Sequence, residues 1–429
     1  MTNSNIWVTV LALAIYLTSG GGGKSSPAQP GTPSYTVPSN SQSSGQSTKA
    51  VQISTQLASL RQEGKNGSEV IGTLAKGTKL VVESENSNWY KVRTKEGQAG
   101  WVARWMTQPS DYYPTESRPG WEVVGYYAEN YSGDKLAYSS FVNNLNKITS
   151  VAPFLYQVDG HGNVTGRNDT NLLSVAKARG IQTLALVNNV QGDNFNTRTV
   201  DQMLNNSASR SRAINGILRL LVEHGYSGVN IDFEGVPARD RYKLTSFFRE
   251  LSGTLRPRNL LVTASLPAKS QEDTKSLWGG AYDYASLAPY LDRAMIMTYD
   301  QHYKSGSAGP VAALNWVEDV IRYTTKYFAP SRVLMGIAAY GYDWTYRSGK
   351  ALTYSGIERL IENRDIQPRW HPTYQVPYFT YTSLGVRHEV WYEDRNSTAA
   401  KVRLAAKYGL KGVAVWRLGY EDPGIWGVM

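Results

Sequence analysis

Cysteine is absent from all 429 residues. That excludes disulfides, thiolate catalysis and any Cys-based metal site. Export without disulfides fits a bacterium with a simple envelope better than a eukaryotic secretory route. Histidine is scarce, and His161, His224, His302, His371 and His388 show no ligand spacing. No structural metal and no cofactor are expected. Basic clusters are missing too. The formal charge is +10, yet no helix is basic and Lys and Arg form no run. This weighs against a nucleic-acid partner and leaves retention on an anionic cell wall, or solubility alone, as the meaning of the charge. The apolar run from Ile6 to Leu17 is short for a membrane span, which needs about 20 residues. It suits a signal-peptide core, although a positive segment before it is lacking. Gly20 stands where a lipoprotein signal would carry Cys. Residues 1–20 are therefore expected to be a signal peptide cleaved near Gly20, or else an uncleaved anchor.

What is present points to several parts. Hydrophobic residues make up 41%, enough for a well-buried core. Twelve Trp and 29 Tyr are many for this length; such an excess suits stacking on sugar rings, and all-β modules use aromatics as well. Residues 21–48 are Gly, Ser, Pro, Gln and Thr with almost no apolar side chain, and read as a flexible linker. Residues 49–108 carry short β-branched or aromatic runs, such as Val70–Leu74, Lys76–Val82, Trp89–Arg93 and Gly100–Val102. Gly, Asn and Ser turns separate them, which is the pattern of a small all-β barrel.

Residues 118–429 alternate apolar strands with amphipathic helices. The strands are expected at Glu122–Ala128, Ser150–Gln157, Thr183–Asn188, Gly228–Glu234, Leu261–Leu266, Arg293–Tyr299, Val333–Tyr340 and Gly412–Trp416. Ile214, Ile217, Leu218, Leu221 and Val222 keep helical spacing before Gly225, as do Leu244, Phe247, Phe248, Leu251 and Leu255. Eight alternations predict an α/β fold, a (β/α)8 TIM barrel. The long interval before the last strand, with Pro377–Tyr381 and Glu389–Glu393, predicts a small α+β insertion between strands 7 and 8 that walls a cleft.

The run Gly228-Val229-Asn230-Ile231-Asp232-Phe233-Glu234 carries the chemistry. In a strand Asn230, Asp232 and Glu234 share one face and Val229, Ile231 and Phe233 the other. Two carboxylates at the carboxyl end of a barrel strand belong in an active site. The like charge of Asp232 holds a proton on Glu234, which can then act as a general acid.

This run resembles the signature of glycoside hydrolase family 18. Met297-Thr298-Tyr299-Asp300 looks like that family's sixth-strand motif, Tyr340–Trp344 like its seventh-strand end, and Trp416 like its eighth-strand floor tryptophan. Gly309-Pro310, Pro377–Phe379 and Val390–Asp394 look most like its spore and cell-wall lytic branch. Residues 49–108 resemble the bacterial Src-homology-3-like domain, which implies a cell-wall peptide as ligand. The family resemblance implies substrate-assisted retaining catalysis, outside the usual two-carboxylate scheme. Glu234 would protonate the leaving oxygen, and the substrate acetamido carbonyl would attack the anomeric carbon. Asp232 would orient the acetamide N–H, Tyr299 hold its oxygen and Trp416 floor the ring. Asn230, Tyr126, Asn188, Met297, Asp300 and Tyr340 are expected substrate contacts. Ser227 and Asn230 depart from the family pattern, where acids stand; Asn230 could hydrogen-bond Asp232 without taking its charge. The substrate must then contain N-acetylglucosamine.

Three functions follow as expectations. The first is an exported hydrolase of β-1,4 bonds after N-acetylglucosamine in peptidoglycan, including spore cortex. The second is a chitinase acting on chitin oligomers. The third is an inactive carbohydrate-binding protein, against which Glu234 argues. A monomer, extracellular and associated with the wall or spore, is expected.

Overall fold

The computed structural model describes residues 50–109, apart from 87 and 95, and residues 120–429, apart from 132 and 347. The expected leader (residues 1–20) and the linker (residues 21–48) lie outside the described residues. What is described falls into two compact units. Among the described residues no helix is long and apolar enough to cross a membrane.

The first unit is a sheet of seven antiparallel strands: Ala50–Ile53, Leu57–Arg61, Val70–Ala75, Lys79–Glu85, Trp89–Arg93, Ala99–Ala103 and Thr107–Pro109. Alternation turns Val51, Ile53, Ala58, Leu60, Leu80, Val92 and Val102 to one core. Each such side chain, fully buried, contributes about 1.5–3 kcal/mol.

The second unit is a closed barrel of eight parallel strands: Glu122–Tyr127, Ser150–Val158, Gln182–Asn188, Gly228–Asp232, Leu261–Pro267, Arg293–Met297, Val333–Ala338 and Gly412–Trp416. The eighth pairs with the first from Gly412 opposite Glu122, which closes the ring. Val229, Ile231 and Phe233 pack outward against Leu244, Phe247 and Phe248 of the helix Arg241–Leu255. The interior is filled by Val124, Tyr126, Ala152, Leu184, Leu186, Met295, Leu334 and Ala414. This is the two-sided burial that a parallel strand demands.

Three expected strand ends retreat by two residues. The fourth strand stops at Asp232, not Glu234. Side chains replace the ladder there: Asn189 bonds both backbone groups of Glu234, and the Tyr282 hydroxyl donates to the Phe233 carbonyl. The sixth strand stops at Met297 because Thr298 N–H turns back onto the Ile296 carbonyl at 2.8 Å. The seventh ends at Ala338, and Tyr340 instead opens an inserted sheet, opposite Thr353. That sheet has five antiparallel strands, Tyr340–Thr345, Ser348–Thr353, Arg369–His371, Val376–Ser383 and Val386–Tyr392, with the helix Tyr354–Asn363. It is the α+β insertion read from the sequence. An ion pair stands where its last strand returns to the barrel: Lys401, fully buried on the helix Arg395–Lys407, meets Glu393 at 2.7 Å.

Candidate active site

The carboxyl ends of the strands gather Asp232, Glu234, Tyr299, Asp300 and Trp416. Glu234 lies two residues past its strand and is 8% exposed; Asp232, the last strand residue, is 5% exposed. The third strand brings Asn188 opposite Asp232. The next residue, Asn189, fixes Glu234. Its Oδ1 accepts from Glu234 N–H at 2.8 Å and its Nδ2 donates to the Glu234 carbonyl at 2.9 Å. Gly235 then turns the chain with φ +67, a conformation that favours glycine. Behind the site, Lys269 Nζ donates to the Tyr282 carbonyl at 2.9 Å and to Glu272 at 2.8 Å, steadying the ring that bonds Phe233.

Burial governs the electrostatics. Glu234 holds its proton well above the usual carboxyl range, first because it is desolvated, then because Asp232 and Asp300 carry like charge nearby. Burial also pushes Asp232 up, to about 7, against the Ser265 hydrogen bond, which favours its charged form. The two titrate as a unit. Asp300, in a left-handed conformation at φ +56, is raised by burial despite the hydroxyls of Tyr340 at 2.6 Å and Tyr342 at 3.0 Å. Burial likewise keeps the Tyr299 phenol protonated, helped by Tyr126, Asp232, Glu234 and Asp300. It remains a hydrogen-bond donor.

Trp416 ends the eighth strand. The rings of Tyr126 and Phe154 meet it edge-on, with centroids at 5.4 Å and 5.7 Å. Tyr299 and Trp416 also pack against the apolar cluster of the insertion, which contains Tyr340, Tyr342, Trp344 and Trp391. Tyr299 needs Gly336 on the seventh strand. A Cβ there would stand 2.8 Å from Tyr299 Cε1 and 2.5 Å from the Ile296 carbonyl oxygen.

Several expected contacts lie deeper than the rim. Asn230 is fully buried inside the barrel; its Nδ2 donates to Tyr126 Oη at 3.3 Å and Ser265 Oγ at 3.1 Å, not to Asp232. Tyr126 is buried too, with its hydroxyl 2.9 Å from Ser265 Oγ. Both brace the layer beneath the carboxylates. Asn188 Oδ1 accepts from Val190 N–H at 2.9 Å, and Met297 is buried at the end of the sixth strand. Sequence reading missed Asn189, Ser265, Tyr282, Lys269 and Tyr342. Ser265, a hydroxyl amid the apolar strand Leu261–Pro267, carried a usable signal. Asn189 carried a weaker one, a second Asn just past a buried strand. Tyr282 and Lys269 sit in a long loop with no periodicity. Among the described residues no group of His, Asp and Glu could hold a metal ion.

Both units have counterparts among known proteins. Residues 57–108 match the bacterial SH3 domain. The chain is 30% identical over 321 residues to the uncharacterized glycosylase YvbX of Bacillus subtilis (strain 168), covering 73% of this chain and 92% of that protein. It is 27% identical over 286 residues to the cortical fragment-lytic enzyme of the same organism, covering 65% of this chain and 66% of that one. A solved chitinase from Chromobacterium violaceum superposes with a TM-score of 0.67 at 30% identity, covering 72% of this chain and 97% of the other. Residues 122–421 match Glycosyl hydrolases family 18, and the chain belongs to that family of glycoside hydrolases.

Proposed function

We propose that this chain hydrolyses the β-1,4 bond after N-acetylglucosamine in peptidoglycan, spore cortex included, with retention and with the substrate as nucleophile. The observation that carries this is the buried carboxyl of Glu234, kept protonated by desolvation and by Asp232. Glu234 donates its proton to the glycosidic oxygen as that bond breaks. The acetamido carbonyl oxygen closes on the anomeric carbon to give an oxazolinium ion. Asp232 accepts a hydrogen bond from the acetamide N–H and offsets the positive charge. Tyr299, held protonated, donates to the acetamide oxygen. Glu234, now a base, takes a proton from water as water opens the ring. Trp416 lies under the reacting sugar.

Residues 118–429 form the catalytic domain and residues 49–108 a wall-peptide binder in this reading. Residues 1–20 direct export, and the enzyme works as a monomer at the wall or spore. Similarity to the cortical fragment-lytic enzyme and the +10 charge support a peptidoglycan substrate. Chitin is the second reading, favoured by the Chromobacterium violaceum chitinase at 30% identity. Mass spectrometry of products from cortex, vegetative peptidoglycan and chitin oligomers separates the two. Full activity in Glu234→Gln would exclude the mechanism for either substrate.

A further inference from the structure

Arg417 follows the floor tryptophan and is 6% exposed. A guanidinium cannot shed its charge, so one this buried is normally met by a carboxylate. Among the described residues none stands within ion-pair reach of it. Its Nη2 donates to Asn130 Oδ1, and its plane lies over the Tyr420 ring with Cζ 4.0 Å from the centroid. Asn130 is itself held by Asp134, whose Oδ2 accepts from Nδ2 at 2.6 Å, and by the Tyr420 hydroxyl at 2.7 Å. Asn130 thus passes a neutral amide oxygen to the cation and keeps Asp134 on its far side. Among the described residues the other guanidinium nitrogens have no hydrogen-bond partner, and none is sealed from solvent.

The position gives this cation a use. The eighth strand ends at Trp416, and Tyr420 packs on the insertion cluster that also receives Trp416 and Tyr299. A planar donor pair, pinned by a ring and an amide beside the sugar floor, suits a carboxylate taken in a fork. We propose that Arg417 is a specificity residue that binds the lactyl carboxylate of a muramic acid adjoining the cleaved N-acetylglucosamine. This rests on the peptidoglycan reading above. Chitin has no such carboxylate, and a stem peptide on the lactyl group removes it as an amide. An amidohydrolase that strips the peptide would therefore act before this enzyme.

Binding separates this proposal from the catalytic one. Full-length Glu234→Gln protein is titrated by calorimetry with a glucosamine–muramic acid tetrasaccharide, both sugars N-acetylated. The lactyl groups are free in one sample and methyl-esterified in the other. The expected result is about tenfold tighter binding of the acid, a ratio typical of a charge-assisted fork. Adding Arg417→Met should bring the ratio to within about twofold, and Arg417→Lys should restore part of it. Equal affinity for acid and ester in the Glu234→Gln protein overturns the proposal, as does a ratio that survives Arg417→Met. The ester comparison needs no change at Arg417, so a misfolded Met variant leaves the decision intact. Turnover by the wild type on the same acid tests the hydrolase reading separately.

Discussion

Asn189 closes a two-point clamp on Glu234, accepting from its N–H at 2.8 Å and donating to its carbonyl at 2.9 Å. The residue after the third strand thereby sets the position of the proposed proton donor, two residues past the fourth. The clamp is fully buried on the Asn189 side, so water cannot replace it.

Asn189→Ala should lower kcat about tenfold to a hundredfold with a smaller change in KM, because position and not affinity is lost. It should also cost about 2–4 kcal/mol of stability, from two buried backbone groups left unpaired. Steady-state kinetics and a urea midpoint measure both.

Glu234→Gln should cut kcat about a thousandfold and yet stabilise the fold at neutral pH. The folded state holds a proton on Glu234 at a pH where the unfolded chain has lost it. Stability therefore declines as pH rises from the unfolded carboxyl range toward the raised folded value. The Gln variant escapes that decline. Melting curves at pH 4 should coincide with the wild type and at pH 7 should lie above it.

Tyr340→Phe with Tyr342→Phe removes both hydroxyls that keep Asp300 charged. Asp300 then takes a proton more readily, and Glu234 loses one of the charges that raise it. The alkaline limb of kcat/KM should move to lower pH. An unmoved limb would show that Asp300 has no electrostatic hold on the donor.

Gly336→Ala should reduce kcat at least tenfold, since the new methyl group competes with the Tyr299 ring and the Ile296 carbonyl for one space. Tyr299→Phe keeps the ring carbon that the methyl group meets and removes only the hydroxyl, so it should lower kcat by itself if that hydroxyl touches the substrate, and Gly336→Ala added to it should then cost less than Gly336→Ala alone. Rates of the single and double variants decide this.

Lys401→Met should cost about 3–5 kcal/mol by leaving Glu393 buried and unpaired. Adding Glu393→Leu should recover much of that. Thermal melts of the three proteins form the test.

The barrel was legible because its period is strong: outward Val229 and Ile231 alternate with inward Asn230 and Asp232 in the strand Gly228–Asp232, and Phe233 carries the outward face one residue further. The strand ends were not. Glu234, Tyr299 and Tyr340 continue the alternation of their strands, and hydrogen bonds that leave no trace in it reassign them: Asn189 and Tyr282 around Glu234, Thr298 N–H on the Ile296 carbonyl before Tyr299, and Thr353's strand at Tyr340. The family motif placed Asp232 and Glu234 together. It could not place Asn230, whose neighbours Tyr126 and Ser265 lie 104 and 35 residues away. Polar side chains that reach across a fold leave no period behind them.

Closure of the ring by Glu122 and Gly412 also dictates when the molecule can come into being. Those partners stand near opposite ends of the catalytic chain, so the ring has the longest possible loop to close. Until the final strand emerges, the first and seventh strands present bare edges that invite other chains. A polypeptide cut short before Gly412 should accumulate as aggregate and not as a smaller working enzyme. Barrel formation is all or nothing, and the segment from Gly412 onward is as indispensable as Glu234.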